Sequence, residues 1–283
     1  MRQASENTYI VDSLEMPEIF NRRNPETTKK DYGHALLIAG SLGKMGAAVL
    51  AAKACMRSGV GLLTVHAPAC GMEVLQTAVP EAMVSIDKGD FFCTSLPERL
   101  DHYSAIAVGP GIGTQKGTRK MLQKLLKALA AQTGKRTTLI LDADALNIVA
   151  ADKKNLLPLL PIGTILTPHE GEYHRIFGDG DAIQMAAQHK ITIVQKAHHT
   201  RTISHKGQVF INHTGNAGMA TAGCGDSLTG IILGLAAQGF APAVAAMLGV
   251  FLHGRAADLA TKNQSQASLI ASDIIEYLKI AAL

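Results

Sequence analysis

The sequence predicts an α/β fold in which a central, mostly parallel sheet carries helices on both faces. Short apolar runs alternate with helix-like segments from residue 33 onward, as in parallel sheets whose strands are joined by crossover helices. Hydrophobic residues make up 47% of the 283 residues and charged residues 18%. The chain can therefore build a large core, and its composition is not that of a disordered protein.

The predicted elements follow one another in a regular order. Apolar runs predict strands at 34–40, 61–68, 105–109, 137–141, 164–167 and 191–196. Helix-favouring segments lie at 46–58, 117–132, 227–238, 242–261 and 268–280. Residues 201–213 predict a hairpin that turns at Lys206 and Gly207.

The chain divides into a short arm and one domain. Residues 1–32 are polar and contain Pro17, Pro25 and a charged run, so we expect an N-terminal arm or helix. Residues 33–283 show no linker, compositional break or internal repeat, and we expect a single domain there.

Charge and cysteine usage exclude several functional classes. The net charge of +4 comes without a long basic run, which does not indicate a nucleic-acid surface. The cysteines have no CxxC or zinc-ligand spacing, as in a cytosolic protein with reduced thiols. The N-terminus lacks the apolar core of a signal peptide, and no apolar run reaches the ~18 residues of a membrane span. We expect a soluble, cytoplasmic protein with no nucleic-acid or membrane partner.

A glycine-rich segment at 215–230, GNAGMATAGCGDSLTG, is the most informative part of the chain. Its glycines allow backbone N–H groups to converge on a ligand, and the helix that follows adds unpaired donors that favour an anion. Asp226 lies where it can take a proton from a group held against that anion. The alternative is a glycine-rich turn in which Asp226 only caps the helix.

Two further glycine loops match common nucleotide motifs only in part. AGSLGKMGAA is not a Walker A loop, because Met45 follows Lys44, although it can bring backbone close to a ligand. GPGIG at 109–113 is not a dinucleotide fingerprint, because its third glycine comes one position early and no acid follows about 20 residues later.

Acidic side chains follow two of the predicted strands. Asp142 and Asp144 could bind a metal or cap the next helix, and capping is the commoner use. In TPHEGE, Glu172 is suited to hold Mg²⁺ through water, and His169 can hydrogen-bond a substrate. HEGEYH is not a zincin motif, because His174 falls five positions after His169.

QKAHHT follows another strand and predicts a phosphate site. Lys196 and the backbone donors that lead to Thr200 are suited to bind nucleotide phosphates, whereas we expect His198 and His199 to face solvent. Because ligands bind at the carboxyl ends of parallel strands, the five loops that follow strands should share one edge of the sheet. These loops are at 40–46, 109–113, 142–144, 169–172 and 196–200.

Taken together, these motifs resemble the ADP/ATP-dependent NAD(P)H-hydrate dehydratases, from about Tyr32 to the C-terminus. The resemblance implies a ribokinase-like fold of the carbohydrate-kinase-like family. It also implies a stand-alone lyase that phosphorylates the C6 hydroxyl of hydrated NADH or NADPH, mostly with ADP, and then eliminates phosphate. Mg²⁺, ATP as an alternative donor, a homotetramer and a separate NAD(P)H-hydrate epimerase are further implications.

The resemblance also assigns residues to sites. Asp226 is the implied base, and Gly223, Cys224 and Gly225 form the implied anion hole. Asp226, Ala47, Gly111, Gly113 and His169 match positions that bind the hydrated dinucleotide. Lys196, Ala197, His198, His199, Thr200 and Gly225 match the ADP or AMP site, and Glu172 matches the magnesium-linked glutamate of the wider kinase family.

Three positions depart from the family pattern. Cys224 stands where serine or threonine is frequent, and Ala222 and Ala197 replace glycines. A thiol at a helix N-terminus predicts a lowered pKa and sensitivity to oxidation for Cys224, and Ala197 predicts weaker nucleotide binding if its backbone needs a positive φ. Two other functions stay open: a kinase of a vitamin-precursor alcohol, and a silent nucleotide-binding sensor or scaffold.

Overall fold

A computed structural model describes residues 1–13, 23–133 and 137–281, and the strands in these residues form one sheet. They are β1 (Arg2–Ser5), β2 (Thr8–Val11), β3 (His34–Ile38), β4 (Leu62–Ala67), β5 (Met83–Ile86), β6 (Ala105–Val108), β7 (Thr138–Leu141), β8 (Ile165–Leu166), β9 (Thr192–Gln195), β10 (Arg201–Ile203) and β11 (Val209–Asn212). Their order is β1-β2-β11-β10-β9-β8-β7-β6-β3-β4-β5. The pairs β1–β2, β9–β10 and β10–β11 are antiparallel, and the other neighbours are parallel.

Helices cover both faces of the sheet. They are α1 (Met45–Arg57), α2 (Met72–Ala78), α3 (Lys116–Ala130), α4 (Ala143–Ala151), α5 (Lys153–Leu156), α6 (Glu170–Phe177), α7 (Ala182–His189), α8 (Cys224–Ala237), α9 (Pro242–Ala260) and α10 (Ala271–Ala281). One core layer contains α1, α8, α9 and α10, and the other contains α3, α4, α6 and α7.

The central strand β3 shows why the sequence alternates as it does. Ala35 and Leu37 belong to the first core layer, Leu36 and Ile38 to the second, and all four are fully buried. A strand that is buried on both faces needs apolar residues at every position, not at every second one. The predicted α/β class with a mostly parallel sheet is confirmed.

Each predicted strand and helix is present within a few residues of its expected bounds. The hairpin β10–β11 turns where expected, with Gly207 at a φ of 81°. The edge strand β5, with both of its end residues exposed, and the helices α2, α5, α6 and α7 were not predicted, and α4 was expected only as the helix that Asp142 or Asp144 would cap. Short elements that bury only part of one face carry too weak a pattern to be identified.

The N-terminal segment differs from the expected arm or helix. Residues 2–11 form β1 and β2, and β2 lies parallel to β11 with Thr8 opposite Val209. Val11 is 1% exposed, and its carbonyl accepts the His213 N–H at 2.9 Å. These residues belong to the sheet, while the division at residue 32 stays a prediction. Pro17 lies outside the described residues.

Helix α9 is long and apolar enough to span a membrane by length and composition alone. However, 67% of its residues in that window are buried inside the fold, where it packs against α8 and α10. Burial of this kind is typical of the core helix of a globular domain. The cysteines are all free thiols.

Candidate active site

Helix α8 and the glycine segment before it form the centre of the candidate site. The loop is held at its start by Asp258 of α9, which accepts the Gly215 N–H at 2.8 Å and the Asn216 amide at 3.0 Å. Gly223 is the N-cap residue of α8, with a left-handed φ of 87°, a conformation that glycine adopts without strain. No side chain caps this helix, which leaves N–H groups of its first turn available to an anion, although the Cys224 N–H donates to the Thr221 carbonyl at 3.4 Å.

Asp226 lies in the first turn of α8 and does not act as its cap. Burial and the negative charge of Asp142 together raise the pKa of Asp226 to about 6, against the opposing effect of Lys196. A carboxylate near neutrality is poised to take a proton at physiological pH. The capping alternative for Asp226 is therefore not supported.

Lys196 joins the carboxylates of this site. Its Nζ donates to Asp142 Oδ1 at 2.9 Å and lies 3.9 Å from Glu172 Oε2. Burial lowers the pKa of Lys196, but the charges of Asp142, Glu172 and Asp226 outweigh burial and leave the pKa raised. Lys196 is therefore a fixed cation beside the expected base.

Asp142 has a role that differs from the predicted cap. It occupies the N-cap position of α4, but its side chain makes no capping bond. Instead, Oδ1 accepts from Lys196 and Oδ2 accepts from Thr229 Oγ1 at 2.8 Å. Thr229 is fully buried on α8, one turn after Asp226. The hydrogen bond between Asp142 and Thr229 links the helix that carries Asp226 to the end of β7.

Asp144 is directed to a different partner. Its Oδ2 accepts the Gly113 N–H at 2.8 Å and lies 3.6 Å from Lys44 Nζ. Ala143, between the two acids, has a φ of 47°, a left-handed conformation that is unfavourable for alanine. Such outliers occur often at functional sites.

His169 and Glu172 form a capping box at the start of α6. His169 Nδ1 accepts the N–H groups of Gly171 at 3.1 Å and Glu172 at 3.3 Å, and Glu172 Oε2 accepts the His169 N–H at 2.9 Å. Because Nδ1 accepts, the neutral ring carries its proton on Nε2, which lies 3.6 Å from Glu172 Oε2. Glu172 is 5% exposed, and its Oε2 faces Lys196.

Ala47 and Gly111 are brought together beside this edge. A Cβ added at Gly111 would lie 3.2 Å from the Ala47 Cβ and 2.9 Å from the Lys44 carbonyl oxygen. Ser41 Oγ donates to the Gly111 carbonyl at 2.7 Å and fixes the loop. Only a residue without a side chain permits this close approach.

A cavity of about 450 Å³ lies beside the loop that follows Lys196. Its lining includes the predicted residues Ala197, His198 and Thr200, and also Asn212, Thr214, Asn216 and His253, which sequence reasoning missed. The predicted Lys196, His199 and Gly225 do not line it. A Cβ added at Gly225 would lie 3.5 Å from Lys196 Nζ, which places that glycine at the ion pair.

The histidine pair has an arrangement more specific than simple solvent exposure. His198 faces the cavity, and His199 stacks on His213 with ring centroids 4.4 Å apart. Below them, Ser227 Oγ donates to the Cys224 carbonyl and so accepts from His253 Nε2 at 3.0 Å. Burial lowers the pKa of His253 to about 4, so this ring is a neutral support for the glycine loop.

The structure tests two predictions about residues that depart from the family pattern, Cys224 and Ala197. The lowered pKa expected for Cys224 is wrong: its thiol is 8% exposed, and burial raises its pKa to about 11. Here burial outweighs the helix dipole. Ala197 has no positive φ, so the loss of glycine there causes no backbone strain.

The sequence was compared with known proteins and with solved structures. The model of a family described as NAD(P)H-hydrate dehydratase matches residues 35–279. An ADP-dependent (S)-NAD(P)H-hydrate dehydratase of Neisseria meningitidis is 37% identical over 95% of this chain and 92% of its own length. A bifunctional NAD(P)H-hydrate repair enzyme of Moorella thermoacetica is 37% identical over 91% of this chain, which spans 50% of that longer protein.

The fold agrees with these sequence relatives. The structure of an ADP/ATP-dependent NAD(P)H-hydrate dehydratase from Bacillus subtilis, co-crystallized with ATP/Mg²⁺, superposes with a TM-score of 0.77 at 30% identity. The alignment covers 95% of this chain and 98% of that one. With the strand-end loops, the poised Asp226 and the family match all in agreement, the chain belongs to the NAD(P)H-hydrate dehydratase family, with the ribokinase-like fold of its structural relatives.

Proposed function

We propose that this chain is a hydro-lyase that returns the S form of hydrated NADH and NADPH to the normal cofactors, with ADP as phosphoryl donor and ATP as an alternative. The observation that carries the proposal is Asp226, a carboxylate with a pKa raised to about 6 in the first turn of a helix that no side chain caps. The relatives named for this reaction support it.

The chemistry requires a base and an anion hole in one place. Asp226 takes the proton of the C6 hydroxyl, and the oxygen attacks the terminal phosphorus of ADP, releasing AMP. The N–H groups at Gly223, Cys224 and Gly225 face the charge that develops on the transferred phosphoryl group. Loss of phosphate from C6 and of a proton from C5 then restores the double bond of the dihydronicotinamide ring.

The two ligands are assigned to opposite sides of Asp226. ADP occupies the cavity lined by Ala197, His198 and Thr200, with Lys196 at its phosphate end. The hydrated nicotinamide lies toward Ala47, Gly111, Gly113 and His169, whose Nε2–H can donate to it. These positions follow the resemblance and the geometry of the loops together.

The residues around Asp226 could hold Mg²⁺ only if phosphate oxygens of the bound nucleotide supplied further ligands. Among the described residues, one group of three side chains is close enough to hold a metal ion by itself: His66, Asp87 and Cys93, near β4 and β5. The described acids near Asp226 do not form such a group. Mg²⁺ commonly uses one or two carboxylates, several waters and substrate phosphates. Glu172 would hold such an ion through water, and the ion would neutralise charge on the transferred phosphoryl group.

Assembly and cellular context complete the proposal. We propose a cytoplasmic homotetramer that acts together with a separate NAD(P)H-hydrate epimerase activity, as the bifunctional relatives suggest. Size-exclusion chromatography with light scattering gives the number of subunits, and any state other than a tetramer would contradict this part.

A coupled assay tests the reaction itself. Hydrated NADH with ADP should yield NADH absorbance together with equal amounts of AMP and phosphate. Asp226→Asn should lower kcat by ~10³-fold or more while ADP still binds, because the carboxamide cannot accept the proton. A stable phosphorylated product without NADH would identify a small-molecule kinase, and undiminished turnover of the variant would remove Asp226 from its role.

A further inference from the structure

A basic cleft lies next to the loop that carries Gly113, which follows β6, whereas the ADP cavity is lined in part by the loop that follows β9. It is a cavity of about 370 Å³ whose lining includes Thr114, Arg119, Asn147 and Arg175, with no acidic side chain among its lining residues. An adjoining cavity of about 330 Å³ shares Arg119 and adds Lys116 and Lys120, with Asp152 as its acid.

Hydrogen bonds connect this cleft to the candidate active site. Asp144, whose charge helps to raise the pKa of Asp226, accepts the Gly113 N–H with Oδ2. Its other oxygen lies 3.5 Å from the Asn147 amide nitrogen, and Asn147 Oδ1 accepts from Arg175 at 2.9 Å. Thr114, the residue after Gly113, accepts from Arg119 Nε at 2.7 Å.

The guanidinium groups of Arg119 and Arg175 are held in place by hydrogen bonds, but no carboxylate of the described residues neutralises their charge. Each is exposed and is held by one neutral oxygen, of Asn147 or of Thr114. Neither forms an ion pair with a carboxylate of the described residues, in contrast to Arg57 and Arg99 elsewhere on the surface. An arginine held in this way keeps several N–H donors for an external anion, and the fork of a guanidinium is suited to phosphate.

We propose that Arg119 and Arg175 bind a phosphate group of the hydrated dinucleotide. This inference rests on the proposed function. That substrate carries a pyrophosphate beyond the nicotinamide riboside, and its NADP form carries an additional 2′-phosphate. With the reacting ring beside Gly113, the rest of the molecule must extend from the site, and the ADP cavity is already occupied. The cleft offers positive charge and the apolar surface of Ala150 and Ala151.

Kinetics of the Arg119→Gln, Arg175→Gln and double variants test the proposal, with Lys127→Gln as the matched control. Lys127 is an exposed cation in the last turn of the same helix α3 and lines neither cavity. The double variant should raise KM for the hydrates by ~10-fold or more, with kcat and KM for ADP within about twofold, since only substrate binding is lost. Arg175→Lys should recover part of the loss.

Comparison of the two hydrates identifies the phosphate. Equal losses with hydrated NADH and hydrated NADPH indicate the pyrophosphate, and a larger loss with hydrated NADPH indicates the 2′-phosphate. Hydrate KM values equal to those of Lys127→Gln would overturn the proposal while leaving the dehydratase activity intact. If the parent chain converts neither hydrate, the proposed function fails instead, and titration with NADPH, followed by its fluorescence, still tests the cleft. Equal NADPH affinity of the parent and the double variant would then reject it.

Discussion

At the scale of single residues, the site depends on the balance of charge around Asp226. Burial and Asp142 raise the pKa of this carboxyl, and Lys196 lowers it. The same lysine is bonded to Asp142, which Thr229 holds from the other side. The pKa of Asp226 therefore depends on side chains that follow two other strands, Asp142 after β7 and Lys196 after β9.

We predict that kcat falls as the pH decreases through about 6, because Asp226 becomes protonated and can no longer act as a base. Lys196→Met should move this acidic limb to higher pH, because removal of the cation removes the interaction that lowers the pKa of Asp226. Profiles of kcat at saturating ADP measure the shift. Lys206→Met, at the exposed hairpin turn, is the control and should leave the limb in place. A limb that does not move in Lys196→Met would contradict this coupling.

At the scale of elements, the contact between α1 and α8 aligns the two helices that begin at the site. Gly230 of α8 faces the backbone of α1 so closely that a Cβ there would overlap the Ala51 carbonyl oxygen. Gly234, one turn later, would bring a Cβ within 2.8 Å of the Cys55 carbonyl oxygen. These glycines let the helices pack backbone to backbone, which fixes the distance from Ala47 to Asp226.

We predict that Gly230→Ala destabilises the fold by about 3 kcal/mol, because overpacking forces the two helices apart. Gly46→Ala in α1 is the matched control, since a Cβ there meets nothing within 4 Å. That change should be neutral or stabilising by about 0.5–1 kcal/mol, from helix propensity alone. Chemical denaturation of both variants gives the comparison, and equal midpoints would show that the helices can separate at no cost.

The elements also show what could and could not be predicted from the sequence. Long apolar runs such as those of β3 and β9 identify buried strands, and the parallel-sheet rule correctly gathers their following loops at one edge. The bond between Asp142 and Thr229 joins residues 87 positions apart and depends on how α8 packs against β7, which no local pattern reports. The pKa of Cys224 is raised and not lowered for the same reason, because the burial of its side chain depends on tertiary packing.

At the scale of the whole molecule, the sheet extends beyond the catalytic half to the N-terminus. β2 pairs with β11, and the Val11 carbonyl holds His213, which stacks on His199 near the ADP cavity. The first residues of the chain are thus connected through the sheet to histidines that lie beside the proposed nucleotide cavity.

We predict that deletion of residues 1–11 lowers Tm and raises KM for ADP, because it leaves β11 at the sheet edge and frees His213. KM for the hydrates should change less, since the hydrate side lies across Asp226. Thermal unfolding and steady-state kinetics measure both effects. A truncated chain with unchanged Tm and unchanged ADP kinetics would instead mean that these residues are a dispensable arm.

The left-handed backbone of Ala143 has a consequence for how the protein distinguishes ligands that look alike. In a regular strand, Asp142 and Asp144 would point to the same face. The turn at Ala143 sends Asp142 to Lys196 and Thr229, and Asp144 to the Gly113 amide. Phosphoryl donor and acceptor both contain an adenosine phosphate. In the proposed assignment of the ligands, this one unfavourable residue conformation, at a cost of about 1–2 kcal/mol, directs one carboxylate toward the phosphoryl donor and the other toward the hydrated cofactor.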